Sequence, residues 1–321
     1  MHKNILINSI KIIIAAIGAI LLAQILQLEF AISAGIVAVL TIQPTKRETL
    51  RTALARLYAF VAALLIAYVS FLLLGTTAAG FFLYFIVFIF VCQIFKWYSA
   101  MAMNSVLISH FITAGVMDWG TVTNELLIFV LGVGAGILAN LHLRKRTDYV
   151  EQLMQEMDKQ IVKIFTRMAE RVLNKDITDY NGDCFKVLVQ QMDTARHVAE
   201  ENYNNQWDEG DIFDMEYIAM RDRQRMVLYE MYKDARALDT SPITARRISD
   251  FLKKIAEVFE KGNDCKALME AFLQMASEMK EQPMPKDRKE FEDRARLFGL
   301  LCSMEEFLQV KLEFAERFQE K

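Results

Sequence analysis

Five stretches of the chain carry no Asp, Glu, Lys or Arg: Ile12–Leu28, Phe30–Thr45, Leu57–Phe95, Trp97–Met117 and Leu126–Leu143, of 17, 16, 39, 21 and 18 residues. All lie in the first 143 residues. A helix needs about 20 apolar residues to cross roughly 30 Å of hydrocarbon, with about 17 as the lower end. The 39-residue window is too long for one span. Its middle, Gly75-Thr76-Thr77-Ala78-Ala79-Gly80, reads as a turn that divides it in two. Six spans near the lower length limit follow, at about 6–28, 29–44, 57–74, 81–96, 97–117 and 124–143.

Charge decides the weakest junction, Gln27-Leu28-Glu29, which has no Gly or Pro. With six spans, Lys3, Lys11, Lys46, Arg47, Arg51, Arg56, Lys96, Arg144, Lys145 and Arg146 share one side, and Glu29, Asp118 and Glu125 share the other. The positive-inside rule then places both termini in the cytoplasm of a multi-pass cell-membrane protein. A single long helix over 12–43 would spoil that sidedness. The first apolar stretch does not read as a cleaved signal peptide, because another apolar segment follows at once instead of a polar mature chain. Trp97 and Tyr98 beside Lys96, and Trp119 beside Asp118, mark the two interfaces.

Residues 1–146 hold 10 Lys/Arg and 4 Asp/Glu; residues 147–321 hold 27 and 36. An apolar, mildly basic transmembrane domain (1–146) is therefore joined to a charged, acidic one (147–321). In the second half Val150, Leu153, Met154, Met157, Ile161, Ile164, Phe165, Met168 and Val172 recur at steps of three and four, the stripe of an amphipathic helix. Without Gly or Pro between Gly136 and Gly182, the last span is expected to run on into this helix. Further helical patterns cover about 185–206, 213–237, 243–261, 264–280 and 286–319, with Asp211 as one cap and Ser241-Pro242 as a helix start. No stretch alternates as strands do. The predicted class is all-α: six transmembrane helices followed by a cytoplasmic helical bundle.

Composition and motifs exclude several functions. Four cysteines without a CxxC argue against a disulfide scaffold. No basic soluble domain offers itself to nucleic acid. There is no GxxxxGK[ST] loop and no GxSxG elbow. His2, His110, His142 and His197 have no neighbours at metal-ligand spacing. No metal, cofactor or catalytic residue is predicted, and the chain reads as a transporter, a channel or a membrane-anchored interaction protein rather than an enzyme.

The polar equipment of the membrane half is sparse. In the fifth span Ser105, Ser109, His110 and Thr113 fall within about 140° on a helical wheel, with Asn104 off that arc. His110 is the only strongly ionisable residue well inside a span; such residues usually face an interior or a wet path, though a packing hydrogen bond would also explain it. Arg47 and Arg51, four apart, would share a face at the cytoplasmic end, either as headgroup anchors or as a positive mouth that gathers anions. The substrate-path candidates are thus Arg47, Arg51, His110, Ser109 and Thr113. Gly132 and Gly136 form a GxxxG step, with similar steps at Ala31/Gly35 and Ala34/Ala38, fit for packing within one subunit or for a dimer seam.

The run Ala31-Ile32-Ser33-Ala34-Gly35-Ile36, followed by Gln43-Pro44-Thr45-Lys46-Arg47 and the Arg51–Arg56 segment, resembles the bacterial aromatic acid exporter family, over nearly the whole chain. The resemblance implies six apolar segments, a helical carboxy-terminal domain and efflux of aromatic carboxylates. The architecture is also similar to that of plant aluminium-activated malate channels, which are dimers with an anion path in the membrane. Expected partners are the lipid bilayer, a small organic anion and a second copy of the chain. The competing expectation is a membrane-anchored scaffold or sensor whose acidic helical domain binds a cytoplasmic partner.

Overall fold

The computed structural model describes residues 2–141, 146–174, 176–177, 181–206, 212–239 and 243–319. Among them every regular element is helical, as the absence of strand alternation predicts. The cap at Asp211, the start at Ser241-Pro242 and the passage through 142–145 lie outside the described residues. The helices sort into two compact units, α1–α6 and α7–α12.

Unit 1 comprises α1 (His2–Ile25), α2 (Ile32–Thr41), α3 (Lys46–Leu74), α4 (Ala78–Ile94), a 3-10 turn (Tyr98–Ala100), α5 (Met101–Ala114) and α6 (Trp119–Leu141). Helices α1, α3 and α6 contain segments long and apolar enough to cross a membrane. The break after α1 forms without Gly or Pro, through left-handed backbone at Gln27 and Phe30, both at φ 55°. At the predicted turn, α3 ends at Gly75, whose φ of +72° favours a residue without Cβ, and Thr77 caps α4 by accepting from the Gly80 amide. The elements differ from expectation in extent. Helix α3 starts 11 residues earlier than the predicted span, taking in the basic segment. Helix α2 has only 10 residues and α5 only 14. Helix α6 is described as far as Leu141 and α7 starts at Thr147; Arg146, at φ −101°, ψ 54°, is not helical, so the expected continuous helix is interrupted there.

Packing in unit 1 combines small and large buried residues. Ala19, Ala23, Ala34, Ala38, Ala59, Ala63 and Ala67 are buried along with Phe60, Tyr84, Phe88, Phe111 and Ile128. Many other large apolar side chains, such as Ile14, Leu21, Leu65, Leu72, Phe82 and Phe90, point outward. Small residues at helix contacts and apolar bulk on the outside are what a lipid solvent selects. The GxxxG step shows the principle. A Cβ on Gly132 would stand 2.5 Å from Val37 Cβ and one on Gly136 2.7 Å from Thr41 Cβ, so both glycines are consumed in seating α6 on α2. Both glycines thus serve packing within the subunit.

Unit 2 comprises α7 (Thr147–Leu173), α8 (Asp183–Asn204), α9 (Phe213–Arg236), α10 (Ile243–Glu257), α11 (Lys266–Lys280) and α12 (Arg288–Gln319). All nine residues of the α7 stripe are buried, in one core with Phe185, Leu228, Leu252, Met304 and Phe307. Here the large apolar groups are inside and the charges outside, the arrangement water selects.

Candidate functional site

Two polar clusters interrupt the apolar interior of unit 1, about 12 Å apart along α2 from Ser33 to Thr41 at the helical rise per residue. The first gathers around His110 on α5. Its Nδ1 faces Glu125 Oε2 at 2.8 Å, and Ser33 Oγ lies 3.3 Å from Nε2. The ring stacks on Phe30, centroids 4.1 Å apart. A neutral ring that donates from Nδ1 to Glu125 accepts from Ser33 at Nε2. The second Glu125 oxygen accepts from Asn124 Nδ2 at 3.1 Å. Asn124 also clamps the α1–α2 break, accepting from the Glu29 amide at 2.8 Å and donating to its carbonyl at 3.1 Å. Glu125 is only 2% exposed. The reading that used Glu125 only as an outer-side charge at the start of the sixth span, and that made His110 the one strongly ionisable group well inside a span, is thus corrected: the two share a buried, hydrogen-bonded pair.

The second cluster lies toward the other end of α2. Arg56 Nη1 donates to Thr41 Oγ1 at 3.1 Å, and Asn104 Nδ2 reaches the Arg56 carbonyl at 3.4 Å. Nearby Asn140 Oδ1 accepts from Lys11 Nζ at 2.5 Å, while Asn140 Nδ2 donates to the Gln43 carbonyl at 2.7 Å and to Thr49 Oγ1. Thr45 caps α3 by accepting from the Glu48 amide.

The five predicted site residues are not brought together. Arg47 is half-buried and Arg51 exposed, both in the first turns of α3. Ser109 donates to the Val106 carbonyl of its own helix at 2.6 Å, and Thr113 is exposed. The interior face of α5 carries Asn104, Ser105 and His110 instead. Asn104, placed off the polar arc from sequence, is fully buried. The residues missed were Ser33, Arg56, Asn104 and Glu125. Glu125, Ser33 and Arg56 had a signal: each is a polar group abutting or inside an apolar run, and Glu125 and Arg56 were used only to set sidedness while Ser33 was used only in the family resemblance.

Unit 2 has its own buried charge cluster. Arg221, 1% exposed, has Nε 2.8 Å from Asp158 Oδ1, donates from Nη2 to Tyr217 Oη at 2.7 Å and from Nη1 to Gln224 Oε1 at 2.6 Å, and lies 4.2 Å over the Phe259 ring. Burial raises the Tyr217 phenol, keeping it protonated as a donor to Asp158 at 2.5 Å. Lys311 is pushed down to about 8 by burial and then by Arg221. Separately, a cavity of about 430 Å³ opens among α10, α11 and α12, walled by Phe272, Phe298 and Leu301 with Lys280 and Arg294 at its edge.

An apolar helical unit with many large apolar side chains facing outward and a buried His110–Glu125 pair has the features of a membrane-embedded unit, and the second unit keeps most of its charges outside. The sequence comparisons give the family. Aromatic acid exporter family member 1 matches residues 4–143, and the aromatic acid exporter C-terminal domain matches residues 148–312. The chain belongs to the aromatic acid exporter family. It is similar to the uncharacterised protein YqjA of Bacillus subtilis (strain 168), 26% identical over 307 residues, which cover 96% of this chain and 95% of that one. A crystal structure of a Clostridium difficile 630 protein described as a membrane protein also matches, at 23% identity and a TM-score of 0.46, covering 52% of this chain and 99% of that one.

Proposed function

We propose that the protein exports small organic anions, aromatic carboxylates first among them, by potential-driven or proton-exchanging transport. The observation that carries the reading is that exporter-family domains cover both units. Six crossings with both termini in the cytoplasm are part of it. Helices α2 and α5 rise about 15 and 21 Å at 1.5 Å per residue, so this topology requires the bilayer to thin locally around them or their flanking segments to complete the crossing. Reporter fusions at Gly80 and Thr121 are expected outside, and at Thr49 and Lys145 inside; an outside signal at Thr49 rejects the topology.

The energetics need no motor. A potential of about 100 mV, negative inside, is worth about 2.3 kcal/mol per charge, which sustains an outward gradient of roughly 50-fold for a monoanion. In this reading Arg47 and Arg51 gather the anion, and His110, paired with Glu125, carries a proton or lines the path, with Ser109 and Thr113 beside it on α5. Reconstituted protein should move aromatic carboxylates under an imposed potential, and His110→Ala should flatten the pH dependence of that flux. No flux across a panel of aromatic and aliphatic carboxylates rejects the reading. The homodimer belongs to the same proposal, its support now the uncovered apolar faces of α3 and α4 rather than the GxxxG step. A particle mass of one 37.0 kDa chain in detergent or lipid would reject it.

A second reading, a membrane-anchored sensor, is favoured by the cavity of unit 2. Its apolar and aromatic walls, with Lys280 and Glu305 among the lining residues, suit an amphipathic ligand. Ligand binding to 147–321 with no flux by the full chain would select it.

A further inference from the structure

Unit 1 buries a charge, that of Arg56, which no carboxylate among the described residues balances. Arg56 on α3 is 3% exposed. Thr41 takes Nη1, but Nε is buried with no acceptor, and no protein group among the described residues accepts from Nη2. The chain has four carboxylates before residue 147, and each is elsewhere. Glu125 serves His110, Glu48 accepts from Thr45 Oγ1, Asp118 holds the exposed start of α6 with Thr121, and Glu29 is exposed at the α1–α2 break. Beside it Asn104, which reaches the Arg56 carbonyl, leaves its own buried Oδ1 without a donor.

An unmatched guanidinium is a costly thing to bury, and buried polar atoms without partners mark a missing ion or water. Here the unmatched atoms have a shape. Thr41 holds the guanidinium from the Nη1 side, and the Nε–Nη2 edge is left without a partner among the described residues. That edge is one of the two-donor forks that a planar carboxylate meets with two parallel hydrogen bonds. A single positive charge suits a monoanion. The free acceptor on Asn104 suits a water carried with it.

Resting on the exporter reading, we propose that Arg56 is the carboxylate-binding residue inside the membrane unit. A monocarboxylate docks on its Nε–Nη2 edge between α2, α3 and α5. Arg51 sits five residues earlier, about 140° round the helix and exposed, so Arg56 is a site separate from the surface pair rather than its continuation.

The test uses full-length protein in detergent and in liposomes, with benzoate as the anion and benzyl alcohol as its neutral counterpart. Benzoate is expected to raise the melting temperature and benzyl alcohol to leave it unchanged. Arg56→Lys keeps the charge but removes the fork, and should weaken benzoate binding and raise the flux KM by about tenfold or more while the circular dichroism stays the same. Arg56→Gln should abolish the benzoate shift. If it does not fold, Arg56→Lys carries the comparison. Wild-type affinity and KM in Arg56→Lys overturn the site and leave the exporter reading standing. Benzoate binding lost in the variants, with no flux by wild-type protein, upholds the site and rejects the exporter. No benzoate shift in wild-type protein at millimolar concentration, or an equal shift with benzyl alcohol, overturns the site outright.

Discussion

Arg221 in unit 2 and Arg56 in unit 1 are both buried, and their units treat them in opposite ways; unit 2 also buries Arg171, held on the Arg236 and Leu238 carbonyls. In unit 2, Arg221 is satisfied by Asp158, Tyr217, Gln224 and the face of Phe259, and Gln224 in turn donates to the Phe307 carbonyl at 2.8 Å. Each of its nitrogens has a partner, and the cluster ties α7, α9 and α12 together. In unit 1, Arg56 has Thr41 alone. A balanced buried charge holds a fold, because removing either partner strands the other. An unbalanced one is an expense the fold does not need for itself, and it marks a place where something arrives from outside. Each prediction below tests whether that contrast holds.

The largest effect is expected at the balanced end. Asp158→Ala should strand Arg221 in the core and destabilise 147–321 by about 3–5 kcal/mol. Denaturant unfolding of that segment measures it, and the double change Asp158→Ala with Arg221→Met should recover much of the loss. A single-mutant cost below that of a surface substitution would remove the distinction between the two arginines.

Lys311 sharpens the same point within unit 2. It is 3% exposed, donates to the Lys261 carbonyl at 2.8 Å and has no carboxylate in ion-pair contact among the described residues. Its folded value of about 8 lies below the ordinary 10.5. Between those values the unfolded chain holds the proton that the folded chain has released, so stability should rise with pH from about 8 to 10.5 and carry the full penalty below about 8. The penalty is of order 3 kcal/mol. Lys311→Met should therefore stabilise the segment at neutral pH and remove the upward slope. An unchanged slope, measured as the difference between the two proteins across that range, would show that Lys311 is not the titrating group.

A smaller effect is expected where unit 1 relies on shape instead of charge. Gly132→Ala places a Cβ against Val37 Cβ and the Ala34 carbonyl, at 2.5 and 2.6 Å before relaxation. Backbone cannot yield as a side chain end can, so α6 should lift from α2 at a cost of about 1–3 kcal/mol. Gly134→Ala, with nothing within 4 Å, serves as the control. Equal thermal stability of the two variants in detergent would return the GxxxG step to the dimer interface.

How far the sequence announced these features follows from their range. The helix class and the α7 stripe were legible because they rest on spacing within one segment: Val150 through Val172 fall on one face by period alone. The division after Leu74 was legible because glycine and threonine cluster there. The break at Gln27–Phe30 could be inferred only through charge sidedness, since its left-handed residues are not glycines. The site was mostly illegible. His110 stood out, but its partner Glu125 comes from the next helix, and a window defined by the lack of charge excludes that residue by construction. Arg56 was visible and misread: a positive residue at the edge of an apolar window counts equally well for topology, and only burial by α2 and α5 separates it from Arg51. The shortness of α2 was hidden because residues 42–45, Ile42-Gln43-Pro44-Thr45, are uncharged and fall inside the same charge-free window.

The smallest effect is expected at the surface pair, and it bears most directly on how Arg56 differs from its neighbours. Arg51 is exposed in the second turn of α3 and Arg47 half-buried one turn before it. Charges in such positions act over roughly 8 Å at physiological ionic strength and raise the local concentration of anions rather than fixing one in place. Replacing both by Gln should therefore lower carboxylate flux only a few-fold. The loss should appear as a slower approach at low substrate, shrink as salt is raised, and vanish at saturating substrate. Orientation must be read in the same variant with the Thr49 and Lys145 reporters, since removing two positive residues also weakens the topology signal. A salt-insensitive loss, or one as deep as that of Arg56→Lys, would mean that the surface pair itself binds the anion, and that the open edge of Arg56 is filled by water.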